Sequence, residues 1–138
     1  ANEETVIDCA ISEKRLSLCV ASDATLIYSF ENKKAIELRL VDGPRAYQFR
    51  PWPGIGRTIW ENVTFTRGPF AYQVYSSFDK MSHETQSGVS VLRGDTEIAS
   101  LSCDEDAGAF PFDPVSDALT RAGYCALEDG VRVQGGCE

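Results

Sequence analysis

The chain has 138 residues, 43% of them hydrophobic and 25% charged, with a formal net charge of −8 from 21 acidic and 13 basic side chains. These values predict one folded domain over residues 1–138, able to bury roughly two-thirds of its unfolded surface, and they exclude wholesale disorder. The acidic balance repels phosphate backbones and anionic bilayers, so nucleic acid is not an expected partner, whereas a basic protein would be steered toward the chain.

No apolar run approaches the ~20 residues of a spanning helix. The opening Ala1-Asn2-Glu3-Glu4 has neither a basic n-region nor an apolar h-region. It reads as a mature start after signal cleavage, or as an arbitrary boundary.

Period-two alternation then runs along the chain. Residues 5–10 and 15–20 read as strands flanking the polar turn Ser12-Glu13-Lys14, with Leu16, Leu18 and Val20 on one face. Leu26, Tyr28 and Phe30 form the next inward set, then Ile36, Leu38 and Leu40. Asp42 to Arg57, rich in proline and glycine, reads as a long connection. Inside it, Tyr47-Gln48-Phe49-Arg50-Pro51-Trp52-Pro53 crowds aromatics around an arginine. That composition suits a binding hot spot built on Tyr47, Arg50 and Trp52, or a plug that folds Trp52 back onto the end of the β structure.

Ile59, Val63 and Phe65 alternate with Trp60, Asn62 and Thr64, and Phe70, Tyr72 and Val74 follow. The polar stretch Ser76 to Ser87 reads as a second long loop, where function tends to sit on a β scaffold. Asp79, Lys80, His83, Glu84, Ser87 and Gly88 are its candidate binding residues. Val89 and Val91, then Ala99, Leu101 and Cys103, complete about eight strands. Short turns at Ser22-Asp23, Asn32-Lys33, Arg67-Gly68 and Arg93-Gly94-Asp95 force antiparallel neighbours. The expected fold is therefore mainly all-β, an antiparallel meander over 1–103 forming a small barrel or sandwich.

Residues 104–138 read as an extension packed on that meander. Val115, Ala118, Leu119 and Ala122 have helical spacing, with Asp113 as N-cap, Pro114 in the first turn and Gly123 as the stop. Val131 to Gln134 can add a strand.

Five cysteines, none in a Cys-x-x-Cys pair, point to disulfides in an oxidising compartment. A hairpin over residues 5–20 brings Cys9 near Cys19, and the glycine-rich tail lets Cys125 reach Cys137, which leaves Cys103 free. The competing arrangement ties Cys103 to a strand-one or tail cysteine and frees another.

Chemical motifs are sparse. His83 is the sole histidine, so a multi-histidine zinc site is impossible, and neither metal nor cofactor is expected. Gly54-Ile55-Gly56 lacks the remaining spacing of a dinucleotide loop. Asp79, Glu84 and Glu61 are formal carboxylate candidates for a hydrolase. Asn62-Val63-Thr64 matches the glycosylation sequon.

Several segments carry a resemblance: Arg15 to Cys19, Leu26 to Phe30, Asn62 to Tyr75, Ser87 to Val91 and Leu101-Ser102-Cys103. Together, over roughly residues 9–103, they resemble small exported proteobacterial β-proteins of unassigned function. A weaker similarity runs to periplasmic C-type lysozyme inhibitors, small eight-stranded barrels in which a Ser-Gly-x-x-Tyr loop and a nearby lysine enter the lysozyme cleft. Ser87-Gly88 matches the first two positions; Ser90 and Val91 follow, and the tyrosine is absent. These features together predict a non-enzymatic periplasmic or secreted binding protein, with inhibition of a cell-wall hydrolase as its sharpest form. A small-molecule or lipid carrier and a small hydrolase are the alternatives.

Overall fold

A computed structural model of the chain describes residues 3–51, 56, 58–104, 112–128 and 131–134, with side-chain surroundings described as far as residue 125. It is mainly β. An N-terminal sheet contains β1 (Glu4–Ile11), β2 (Lys14–Val20), β3 (Leu26–Glu31) and β4 (Ile36–Asp42) in sequence order. A central sheet contains β5 (Gln48–Arg50), β6 (Thr58–Arg67), β7 (Phe70–Asp79), β8 (Thr85–Arg93) and β9 (Thr96–Ser102), also in order. Helix α1 (Asp113–Arg121) follows, then the hairpin β10 (Tyr124–Glu128) and β11 (Val131–Gln134). The described ladders are all antiparallel, as the short connections require.

The alternation that marks the strands also builds the core. Leu16, Leu18 and Val20 pair across β2 and β3 with Phe30, Tyr28 and Leu26, and all six point inward. A bulge in β1 between Thr5 and Ile7 turns both Val6 and Ile7 into the core. The central sheet contributes the inward row Phe49, Val63, Val74, Val89 and Leu101, one residue per strand. Phe65 is fully buried, with its ring 5.9 Å from Tyr28 and 6.4 Å from Tyr47. A disulfide and several polar contacts join the sheets. The Cys9–Cys103 disulfide ties β1 to the end of β9, and the next amide, Asp104 N, donates to Ala10 O at 2.9 Å. At another edge Arg67 grips the nearly buried Asp42 carboxylate through both guanidinium nitrogens, at 2.7 and 3.0 Å.

Helix α1 packs on β1, β2 and β10, burying Val115, Ala118 and Leu119. Each larger side chain of that stripe contributes about 1.5–3 kcal/mol. Gly123, at φ +90°, ends the helix, and its amide donates to Thr120 O.

Several expectations need correction. Cys9 does not pair with Cys19; the competing arrangement holds, with Cys9 bridged to Cys103 and Cys19 the free cysteine among those described. The two-residue turn Ser12-Glu13 sets Ile11 opposite Lys14, so Cys9 falls opposite Leu16 rather than Cys19. Cys9 also faces the core, whereas Cys19 lies on the outward face of β2. Cys125 is disulfide-bonded, and Cys137 lies outside the described residues. The stretch 42–57 is not one loop, because β5 forms inside it and pairs with β6. The loop expected over 76–87 shrinks to residues 80–84, since β7 and β8 continue on either side. Phe112 rather than Asp113 occupies the N-cap position, with no side-chain cap: Phe112 is wholly buried, its ring stacks on Phe49, and its amide donates to Glu61 Oε2 at 2.8 Å. Burial of that ring thus sets where the helix starts.

Candidate functional site

The five-residue turn between β7 and β8, together with the last residue of β7, brings together four of the expected binding residues. Asp79 closes β7 opposite Thr58, and Lys80, His83 and Glu84 lie in the turn. Backbone and side-chain bonds lock it. Asp79 Oδ1 accepts the amides of Met81 and Ser82 at 2.8 and 3.2 Å. The Asp79 amide donates to Glu84 O, and the His83 amide donates back to Asp79 O. Ser82 Oγ accepts the Glu84 amide at 3.3 Å. His83 takes φ +63°, a left-handed conformation that costs on the order of 1–2 kcal/mol and persists because the surrounding bonds fix it. Its imidazole stacks on Phe78, with centroids 5.9 Å apart and planes 10° apart. The result holds Met81 outward at 74% exposure, between two carboxylate-bearing residues.

Ser87 and Gly88 do not belong to this turn. They are buried in β8, where Ser87 Oγ donates to Ser76 Oγ at 2.9 Å. A Cβ on Gly88 would collide with the Leu101 carbonyl oxygen, so the close approach of β8 to β9 requires glycine there. Tyr47 is also core: it is 1% exposed and donates its hydroxyl to Ala24 O at 2.8 Å. Arg50 is exposed at the end of β5, and Trp52 lies outside the described residues.

The carboxylate candidates for hydrolysis face different ways. Glu61 shares the inward row with Ser76 and Ser87 and holds the helix amide. Asp79 caps the turn. Among the described residues no three histidine, cysteine or acidic side chains gather as metal ligands. Phe30 and Phe65 pack in the core, with Tyr72 against it, while Phe70 is half-buried beneath Arg93. The sequon asparagine, Asn62, sits mid-strand in β6 rather than in a loop.

Two features escaped the sequence reading. A cleft of about 420 Å³ opens between the β1–β2 and β3–β4 turns, lined in part by Lys14, Arg15 and Lys33. Lys14 is paired with Glu37 and Arg15 with Asp8, so much of its positive charge is already engaged. The other is the outer face of the central sheet. Arg50, Asn62, Tyr75, Gly88 and Ser102 lie opposite one another on its five strands, with Trp60, Ser77 and Gln86 in the row beside them. Tyr75 reaches across Gly88 to place its hydroxyl 3.3 Å from Ser102 Oγ, which also accepts Gln86 Nε2 at 3.4 Å. The alternation in β6 did show Trp60 and Asn62 facing away from the core, but the matching rows required the register.

Compared with protein-family models, curated proteins and solved structures, the chain matches none.

Proposed function

We propose that this chain is a non-catalytic, exported binding protein whose β7–β8 turn enters the cleft of a basic protein, a cell-wall hydrolase such as lysozyme being the most specific form of that partner. The observation that carries this reading is the locked turn presenting Met81. A loop already fixed in one conformation avoids the ordering cost of about 0.5–1.5 kcal/mol per side chain that a loose loop meets on binding. The exposed apolar tip stands beside Lys80 with Glu84 three residues on, so the turn itself is mixed in charge, and it is the net charge of −8 that steers a basic partner and speeds the encounter. The Cys9–Cys103 bridge supports an oxidising compartment. The packed aromatic interior weighs against the carrier alternative.

The test mixes the purified chain with a panel of lysozymes at low and moderate salt. A salt-sensitive complex that suppresses lysis is expected. Met81→Ala and Glu84→Lys are each expected to weaken it about tenfold. Asp79 is left intact in this test because its carboxylate holds the turn. Absence of a complex at both salts would remove the reading.

A further inference from the structure

We propose that the outer face of the central sheet binds a neutral polysaccharide strand, with Trp60 and Tyr75 as stacking platforms and Asn62, Gln73, Gln86 and Ser102 as hydrogen-bonding groups. This surface is separate from the β7–β8 turn, and the inference does not depend on it.

The chemistry of the face selects the ligand. Its charges stand at the margins: Arg50 at the end of β5, Asp79 at the end of β7, and Glu97 on β9. Asp79 is committed to the turn, and Glu97 accepts Ser90 Oγ at 2.9 Å. Between them lie amides, hydroxyls and aromatic rings. A chain with a net charge of −8 has thus kept one whole sheet face nearly neutral. Among the described residues of the face there is no basic track for a phosphate polymer and few free carboxylates for a basic peptide.

A pyranose matches what is present. Each sugar hydroxyl both donates and accepts, as do the amide and hydroxyl side chains on this face. The C–H face of the ring is apolar and stacks on an aromatic side chain. Trp60 is 39% exposed, so its ring is open to such stacking. Five strands at ~4.8 Å spacing make the face about 19 Å wide, room for several linked sugars.

Asn62 supplies a second, independent sign. Its Oδ1 is screened from water and accepts no hydrogen bond, the one such side-chain atom found among the described residues. A shielded acceptor without a partner costs on the order of 1–3 kcal/mol. Asn62 lies between Arg50 and Tyr75, on the second of the five strands. Turning the Asn62 side chain outward beside Tyr75 brings this oxygen within reach of a sugar hydroxyl, which donates to it and removes that penalty.

The experiment titrates the isotope-labelled chain with three soluble probes, cellohexaose, chitohexaose and maltohexaose, and follows the backbone amides by NMR. With at least one probe, shifts are expected on Thr58–Thr64, Gln73–Ser77 and Gln86–Ser90. Trp60→Ala should weaken that binding about tenfold, and Trp60→Phe should restore part of it. Met81→Ala should leave it unchanged, which separates this site from the hydrolase-binding turn. Trp60 lies outside the core, so its replacement leaves the fold in place for the comparison. No shifts with any probe in the millimolar range, shifts centred elsewhere, or shifts unaltered in Trp60→Ala would each overturn the proposal.

Discussion

The N-terminal sheet turns a charged face to solvent: Arg15 grips Asp8 through two nitrogens, Lys14 meets Glu37, and Glu31 on β3 and Arg39 on β4 add to it. The central sheet turns out Trp60, Asn62, Gln73 and Tyr75 instead. Both sheets obey the same inward alternation, so the core does not dictate the difference. Charged pairs keep a flat sheet soluble and discourage edge pairing. A neutral face with an exposed indole gives up that protection. The contrast says that net charge is a poor guide to a chain in which one face departs so far from the mean.

The largest effect tests what the two sheets share. Replacing Cys9 and Cys103 by alanine opens a bridge between residues 94 apart in sequence, and should cost about 4 kcal/mol, measured by urea unfolding. A loss below about 1 kcal/mol would mean that the sheets hold together without it.

Matched substitutions on the two outer faces sharpen the contrast. Gly88→Ala forces β8 away from β9 and should cost about 2–3 kcal/mol. Asp8→Ala breaks an ion pair whose partners are well exposed, and should change stability by no more than about 0.5 kcal/mol. Equal costs at the two sites would mean that the two faces do not differ in this way.

The smallest effect concerns Cys19, on the outer face of the N-terminal sheet. Partial burial raises its thiol above the ordinary cysteine value, outweighing the opposing bond to Thr5. Less thiolate is therefore present near pH 8 in the folded chain than in the unfolded one. Alkylation should run several-fold slower in buffer than in urea, with the gap closing as pH rises past the thiol's value. Equal rates at pH 8 would place Cys19 in open solvent.

Strands of regular alternation were legible in the sequence, and so was the buried stripe of α1. The rest failed for identifiable reasons. β5 is three residues long and stands beside prolines, so no period could announce it. The ends of β7 and β8 looked like loop because Ser76 and Ser87 satisfy each other inside the sheet, which puts polar residues where apolar ones were sought. The disulfide depended on a turn length and on contact between sheets, neither of which is local. Of the candidate site, Asp79, Lys80, His83 and Glu84 were found as a group because they are consecutive or nearly so. Tyr47, Ser87 and Gly88 were misplaced because a buried hydroxyl and a crowded glycine look like loop residues in one dimension.

The sulfur bridge between β1 and the end of β9 has a mechanical consequence. Tension applied between the start of β1 and helix α1 crosses from residue 9 to residue 103 through two sulfur atoms, and the strands between them carry none of it. The shielded segment would stretch to roughly 330 Å if released, at about 3.5 Å per residue. Pulled between β1 and α1, the oxidised chain therefore cannot extend through residues 10–102, while its reduced form can pay out the whole meander.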